Sequence, residues 1–172
     1  LRPTVSLSGL FDALFDPDDR GERKSGFDGS NPAWDRAERI TLPATVNSAE
    51  SQRVQYQGTV WFRRALTLAD LHTVCDEPNA NDWLRLQLEG FLIRATVWFD
   101  GTRVFDREGG YTDGYAYLGA VSVCYDRARR LRSDGALDDA VGSWIVIRVD
   151  NRQRYDSLPM RLGRYHTPGW HT

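Results

Sequence analysis

Sulfur is scarce in this chain: two cysteines, Cys75 and Cys124, and a single methionine among 172 residues. Two cysteines are too few for a disulfide framework and wrongly spaced for a zinc site; one bridge between them is the most they could form. Histidine is nearly as rare. His72 stands alone, and His166 and His171 lie beside Pro168 and Gly169 in a segment unsuited to a rigid two-histidine face. Charge of one sign does not accumulate either, with 24 acidic against 22 basic residues and a formal net charge of −2. The one basic cluster, "DRARRLRSD", carries its own aspartates and reads as a solvated segment, so a nucleic-acid partner is not expected. No window approaches the roughly 20 apolar residues of a membrane span, and the opening "LRPTVSLSGLFDALFDPDD" has no apolar signal core. These absences lead us to expect a soluble chain without a membrane partner, in a cytoplasmic rather than a secreted setting. Its start at Leu1 suggests a processed chain or an excised domain.

Signatures of chemistry are missing too. No GxxxxGK[ST] or GxGxxG follows a strand into a helix, which removes the usual phosphate cradles, and no G-x-S-x-G elbow supports a serine triad. "DPDDRG", Asp16 to Gly21, imitates the start of an EF-hand. It places Arg20 at loop position 5 and Phe27 where a bidentate glutamate belongs, so a solvated turn is expected, and any calcium would need other loop oxygens. No cofactor is implied. The glutamates Glu22, Glu38, Glu50, Glu77, Glu89 and Glu108 are scattered, and none pairs with another as the two carboxyl groups of a glycosidase must.

What the chain does have is β-patterning. With 41% hydrophobic and 12% aromatic residues, it is composed like one globular domain spanning 1–172. "WLRLQLEG" alternates Leu84, Leu86 and Leu88 with Arg85 and Gln87, the period of a half-buried strand. "ATVWFDGTRVF" sets two β-rich runs around Asp100-Gly101, a dipeptide suited to a type I′ hairpin turn because both central residues need positive φ. "TVWFRRALTL" and "SWIVIRVDN" predict two long strands, and "RITLPATV" a short one that Pro43 ends or confines to an edge. Helical signal is weak: "TLADLHTVC" and "YDRARRLR" each suggest a turn or two without a sustained apolar stripe. Long polar segments separate the strands and are expected to gather at the ends of the sheets. The fold class expected is all-β, an antiparallel sandwich with long loops and at most short helical turns.

The order of these pieces resembles the N-terminal sugar-binding domain of glycoside hydrolase family 2, which includes β-galactosidases, β-glucuronidases and β-mannosidases. "SLSGLFDALFDPDDRGE" is similar to the family's opening strand and loop. "ITLPATVN" is similar to its I-x-V-P-x-x-W-N, with Val46 at the tryptophan. "YQGTVWFRRALTL" matches Y-x-G-x-x-W-[YF]-R-R through Tyr56, Gly58, Trp61, Phe62, Arg63 and Arg64. "LRLQLEGFLIRATVWFDGTRVFDREGGYTDGYAYL" and "WIVIRVDNR" complete the series.

The resemblance implies a jelly-roll sandwich of the galactose-binding-domain type. It also leads us to expect that the Trp and Tyr residues fill a two-sheet core, Trp98, Tyr111 and Tyr117 among them, and that Gly109-Gly110 allows the chain to cross. The family's terminal G-G-I-x-R-x-V is replaced here by "LGRYHTPGW", where Arg164, Tyr165 and Thr167 depart from it. The family's catalytic glutamates reside in a barrel of about 250 residues, so the chain alone is expected to be non-catalytic.

Two positions are implied to reach the sugar pocket in some members: Gln57, before the G-x-x-W strand, and Asp156, near the terminal motif. The partners implied are a β-glycoside and the missing immunoglobulin-like and barrel domains of a parent enzyme. Two alternatives stay open. One is a free-standing carbohydrate-binding module, in which Trp34, Tyr115 and Trp170 from long loops would stack on sugar rings. The other is a protein-docking domain on the same fold.

Overall fold

A computed structural model of the chain describes residues 3–22, 28–44, 56–75, 77, 79, 81–110, 112–133 and 141–152. The alternating segments become strands β1 (Gly9–Asp16), β2 (Glu38–Leu42), β3 (Thr59–Thr67), β4 (Trp83–Leu88), β5 (Leu92–Phe99), β6 (Thr102–Gly110), β7 (Gly114–Ala120) and β8 (Val141–Asp150). Helix α1 (Leu68–Val74) follows β3, and α2 (Val121–Ser133) follows β7. Six strands form one sheet in the order β2-β1-β3-β8-β5-β6, and β4 and β7 form a two-stranded ribbon; every pairing is antiparallel. The short β2 lies at an edge and stops at Leu42, before Pro43, as a residue without an N–H requires.

The central strands contain "VWF" and "WIVI", apolar without interruption, because both faces of the large sheet are covered. Val60, Phe62, Val97, Phe99, Ile145 and Ile147 point to one side, where Leu84 of the ribbon and Leu71, Val121, Tyr125 and Ala128 of the helices meet them. The intervening residues Trp61, Trp98 and Val146 point to the other side and pack with Trp34 in a separate cluster.

This corrects the expectation that the tryptophans fill the space between two sheets. They form a second core on the back of the large sheet, roofed by residues 28–37. These described residues between β1 and β2 therefore lie across a sheet face rather than at a sheet end. The approach is close: a Cβ added at Gly29 would overlap the side chain of Trp144, and one at Gly21 would lie 2.6 Å from Nε1 of Trp61.

Asp100 and Gly101 have φ of 49° and 78° and close the β5–β6 hairpin between Phe99 and Thr102, the expected I′ geometry. The Asp100 carboxylate also accepts from the backbone N–H of Trp144 at 2.8 Å and pairs with Arg127, tying the turn to β8 and α2. A Cβ at Gly101 would touch nothing within 4 Å, so any cost there is purely conformational. Gly101→Ala is expected to lower the unfolding free energy by about 1 kcal/mol. Urea denaturation checks this; an unchanged midpoint would mean that the turn tolerates a side chain at positive φ.

Two further expectations change. Gly109 and Gly110 are paired to Ile93 and Leu92, and the chain changes sheets after them, between Gly110 and Gly114. The close approach belongs to Gly114, whose added Cβ would lie 2.7 Å from the ring of Phe105. Trp98 is buried as expected, but Tyr117 is 63% exposed and is no packing group; Tyr111 lies outside the described residues.

Helix α2 has 13 residues and begins before the segment "YDRARRLR". Its buried positions Val121, Cys124, Tyr125 and Ala128 form an i, i+3, i+4, i+7 stripe. That stripe hides in the sequence because two members are small and one is a tyrosine. The Tyr125 hydroxyl lies 3.1 Å from Nδ1 of His72 and bonds the carbonyl of Cys75, joining α2 to the end of α1. Cys75 and Cys124 are both free thiols, and burial pushes the Cys124 thiol above its usual range. Among the described residues, no helix is long and apolar enough to cross a membrane.

Candidate functional site

The β1 end, the β3 start and the β8 end meet at one corner of the large sheet, and the residues flanking these strands build it. In "DPDDRG" two of the three carboxylates, those of Asp16 and Asp19, turn inward, while Asp18 stays exposed. Asp16 accepts from the backbone of Arg20 at 2.9 Å and of Gly21 at 2.6 Å, and from the indole of Trp61 at 3.2 Å. Asp19, at φ 56°, points its carboxylate at Arg148 and Arg152 and accepts from the hydroxyl of the fully buried Thr59 at 3.0 Å. Asp150 completes a four-charge cluster, accepting from Arg152 at 2.6 Å and standing 3.7 Å from Arg148.

Burial opposes ionisation of Asp19, but the bonds and charge of Arg148, with Arg152 and Thr59, outweigh it and draw its pKa down to about 2. Asp150 shows the same balance: burial raises its pKa, Arg152 and Arg148 lower it more, and the net shift is downward. The Arg152 pKa is raised in return, chiefly by its bond to Asp150. Two acids and two bases thus neutralise one another, and both carboxyl groups are ionised at neutral pH. A general acid needs a raised pKa, so the corner is built to hold geometry and not to donate protons. Among the described residues, no three His, Cys, Asp or Glu side chains gather as metal ligands.

Beside this cluster the corner presents Gln57. Its flanking backbone is pinned: Gly58 donates to the Asn151 side chain at 2.7 Å, and the Asn151 amide donates to the carbonyl of Tyr56 at 2.9 Å. The Tyr56 hydroxyl in turn donates to the Thr59 carbonyl at 2.8 Å. A side chain at Gly58 would collide with the Tyr56 ring, which explains the glycine. The Gln57 side chain is exposed, so an amide that can both donate and accept sits on a backbone with little freedom.

The other sequence-derived candidates are dispersed. Trp34 is 2% exposed, its indole N–H donates to the Asp28 carbonyl at 3.0 Å, and Arg63 covers its ring; it has no face to offer a sugar. Tyr115 lies on β7 rather than in a long loop and is 45% exposed, on the far side of the molecule's core from Trp34. Asp156 and Trp170 fall outside the described residues, as do Val46, Glu50, His166, His171 and the "LGRYHTPGW" segment. Glu22, Glu38, Glu77, Glu89 and Glu108 are all exposed.

Sequence reasoning missed the partnership of Asp19 with Arg148 and Arg152. The signal available was weak: a polar residue in an otherwise apolar central strand, "IVIRVD". A depression on the β1 side, lined by Asp12, Arg39, Arg63, Arg64, Asp70 and Trp144, has its charges paired internally, Asp12 with Arg63 and Arg39, and Asp70 with Arg64.

No protein-family model matches the chain, and no curated protein matches its sequence. Its fold does match solved structures. The crystal structure of Ruminococcus gnavus β-glucuronidase superimposes with a TM-score of 0.63 at 20% identity, over 91% of this chain and 23% of that one. The apo structure of the same enzyme gives 0.64 at 20% identity over 92% and 23%, and its complex with uronic deoxynojirimycin gives 0.63 at 20% over 91% and 23%. At these identities the likeness is one of fold. The chain spans about a quarter of the length of the β-glucuronidase it matches.

Proposed function

We propose that the chain is a non-catalytic jelly-roll domain of a family 2-like glycoside hydrolase, buttressing the parent's catalytic barrel and presenting Gln57 toward its substrate cleft. The observation that carries this reading is a coincidence of two independent signals. The ordered motif string from "SLSGLFDALFDPDDRGE" to "WIVIRVDNR" resembles that family's first domain, and the fold aligns over 91% of its length with one part of a β-glucuronidase. The rigid corner suits the role: a cleft-lining amide must be held in place, and the charge cluster and Asn151 clamp the backbone on either side of it. The parent's substrate would be a β-glycoside, and its other domains would be the chain's partners. Asp156 is the second candidate for the same cleft.

Two measurements test the proposal. The purified 172-residue chain is expected to show no turnover of aryl β-glucuronides or β-galactosides, and robust hydrolysis would remove the non-catalytic reading. In the parent enzyme, Gln57→Ala is expected to raise KM by roughly 2- to 10-fold, the loss of one hydrogen bond, with the melting temperature unchanged. A KM equal to wild type would place Gln57 outside the cleft.

A further inference from the structure

The ribbon β4–β7 has an outer face unlike the rest of the surface. Alternation turns Leu84, Leu86, Gly114 and Ala116 inward and leaves Trp83, Arg85, Gln87, Tyr115 and Tyr117 outside. Trp83 is 64% exposed and Tyr117 63%, and both lie on regular strands rather than in loops. Arg85 pairs across the ribbon with Tyr117, and its guanidinium lies diagonally over the Tyr115 ring, 4.7 Å from the centroid. Among the described residues, Arg85 makes no ion pair. At the Gln87 end, the Gln87 amide donates to the Asp113 carboxylate at 3.2 Å, which sets an amide and a carboxylate beside Tyr115.

From this juxtaposition we infer that the outer face of the β4–β7 ribbon binds a pyranose oligosaccharide that carries one carboxylate, a single uronic-acid unit in an otherwise neutral chain. Tyr117 and Trp83 supply apolar planes for the C–H faces of successive rings, as amphipathic aromatics do where a ligand is half wet. Gln87 and Asp113 bond ring hydroxyls. Arg85, held flat by Tyr115, receives the carboxylate, which a guanidinium matches in geometry and charge.

Size and charge argue against two other occupants. The face measures roughly 20 Å by 10 Å, two strands wide, about 200 Å² against the roughly 800 Å² per partner that a stable protein interface buries. A nucleic-acid strand would need several cations along its backbone, whereas the face carries one and the chain is net acidic at −2. The inference concerns a different face from Gln57 and stands apart from the parent-enzyme proposal.

The test is calorimetric titration of the whole chain with a malto-oligosaccharide carrying one glucuronic-acid unit, with the neutral malto-oligosaccharide and a single-stranded oligonucleotide as parallel probes. The singly charged uronide is expected to bind, with the neutral sugar several-fold weaker and the oligonucleotide weakest. Trp83→Ala and Tyr117→Ala should each weaken binding about tenfold, while Arg85→Gln should erase the preference for the uronide and keep the neutral sugar's affinity. All three side chains are exposed, so the variants should melt like wild type. Absence of uronide binding, binding unmoved by both aromatic variants, or tighter binding of the oligonucleotide would each overturn the inference. None of these outcomes bears on Gln57 or on turnover.

Discussion

Asp19→Asn is expected to lower the unfolding free energy at pH 7 by about 2–3 kcal/mol and to remove much of the acid limb of the stability profile. Asparagine keeps the shape and tolerates the positive φ of 56° found there, so the backbone is not the variable. What is lost is the charge opposite Arg148, whose side chain is 10% exposed, and opposite Arg152. The drop in the Asp19 pKa from 3.8 to about 2 corresponds to roughly 2 kcal/mol, less a discount because a quarter of the side chain meets solvent. The cost of leaving a buried guanidinium half-paired makes up the rest.

The pH window follows from the sign of the shift. A carboxyl group with a depressed pKa contributes its full stability above the unfolded value near 4 and loses it as pH falls toward 2. Asp150, also shifted downward, acts in the same direction. The gap between wild type and Asp19→Asn should therefore be constant from pH 7 to about 5 and close on further acidification. Denaturant midpoints measured across that range check it. A gap that persists undiminished at pH 2 would show that the cluster does not stabilise through ionised Asp19.

The second large effect is expected at Arg63. Its guanidinium donates to Asp12 through Nε at 3.0 Å and Nη2 at 2.6 Å, and to the Gly29 carbonyl through Nη1 at 2.6 Å. It also lies between the rings of Trp34 and Trp144, 4.9 and 4.3 Å from their centroids. One planar cation thus fastens the covering segment to the sheet by hydrogen bonds and by its faces. Arg63→Ala should cost about 3 kcal/mol, and Arg63→Lys about half of that, because an ammonium can neither fork nor stack. Loosening the cover should shift tryptophan emission to the red as Trp34 meets water. Wild-type stability in Arg63→Lys would refute the role assigned to the planar group.

Arg63 and its neighbour Arg64 mark the limit of what the sequence reveals. The pair "RR" in "WFRRALTL" was legible as part of a motif, and its strand as a strand, but not its task. Arg63 and Arg64 point to opposite faces of β3, one onto the tryptophan cluster and the other toward Asp70 and the carbonyl of Leu7. Which face is which depends on how β3 pairs with β1 and β8. The alternation in "WLRLQLEG" correctly assigned the inner leucines, yet Tyr117 was expected in the core and Tyr115 in a loop, because aromatic bulk alone does not reveal a side. Only the register of β4 against β7 sets Arg85 opposite Tyr117 and turns both outward.

By itself the sequence determined the local structure: the alternating strands, the Asp100-Gly101 turn, the edge strand ended by Pro43, and the antiparallel all-β class. These follow from short-range periodicity and backbone preference, which neighbouring residues encode. The tertiary structure alone decided that the tryptophans build a second core, that Trp34 is sealed beneath Arg63, and that Asp19 meets Arg148 from 129 residues away. Such pairings arise when strands distant in the chain are brought side by side, and no local pattern records which neighbour each face will find.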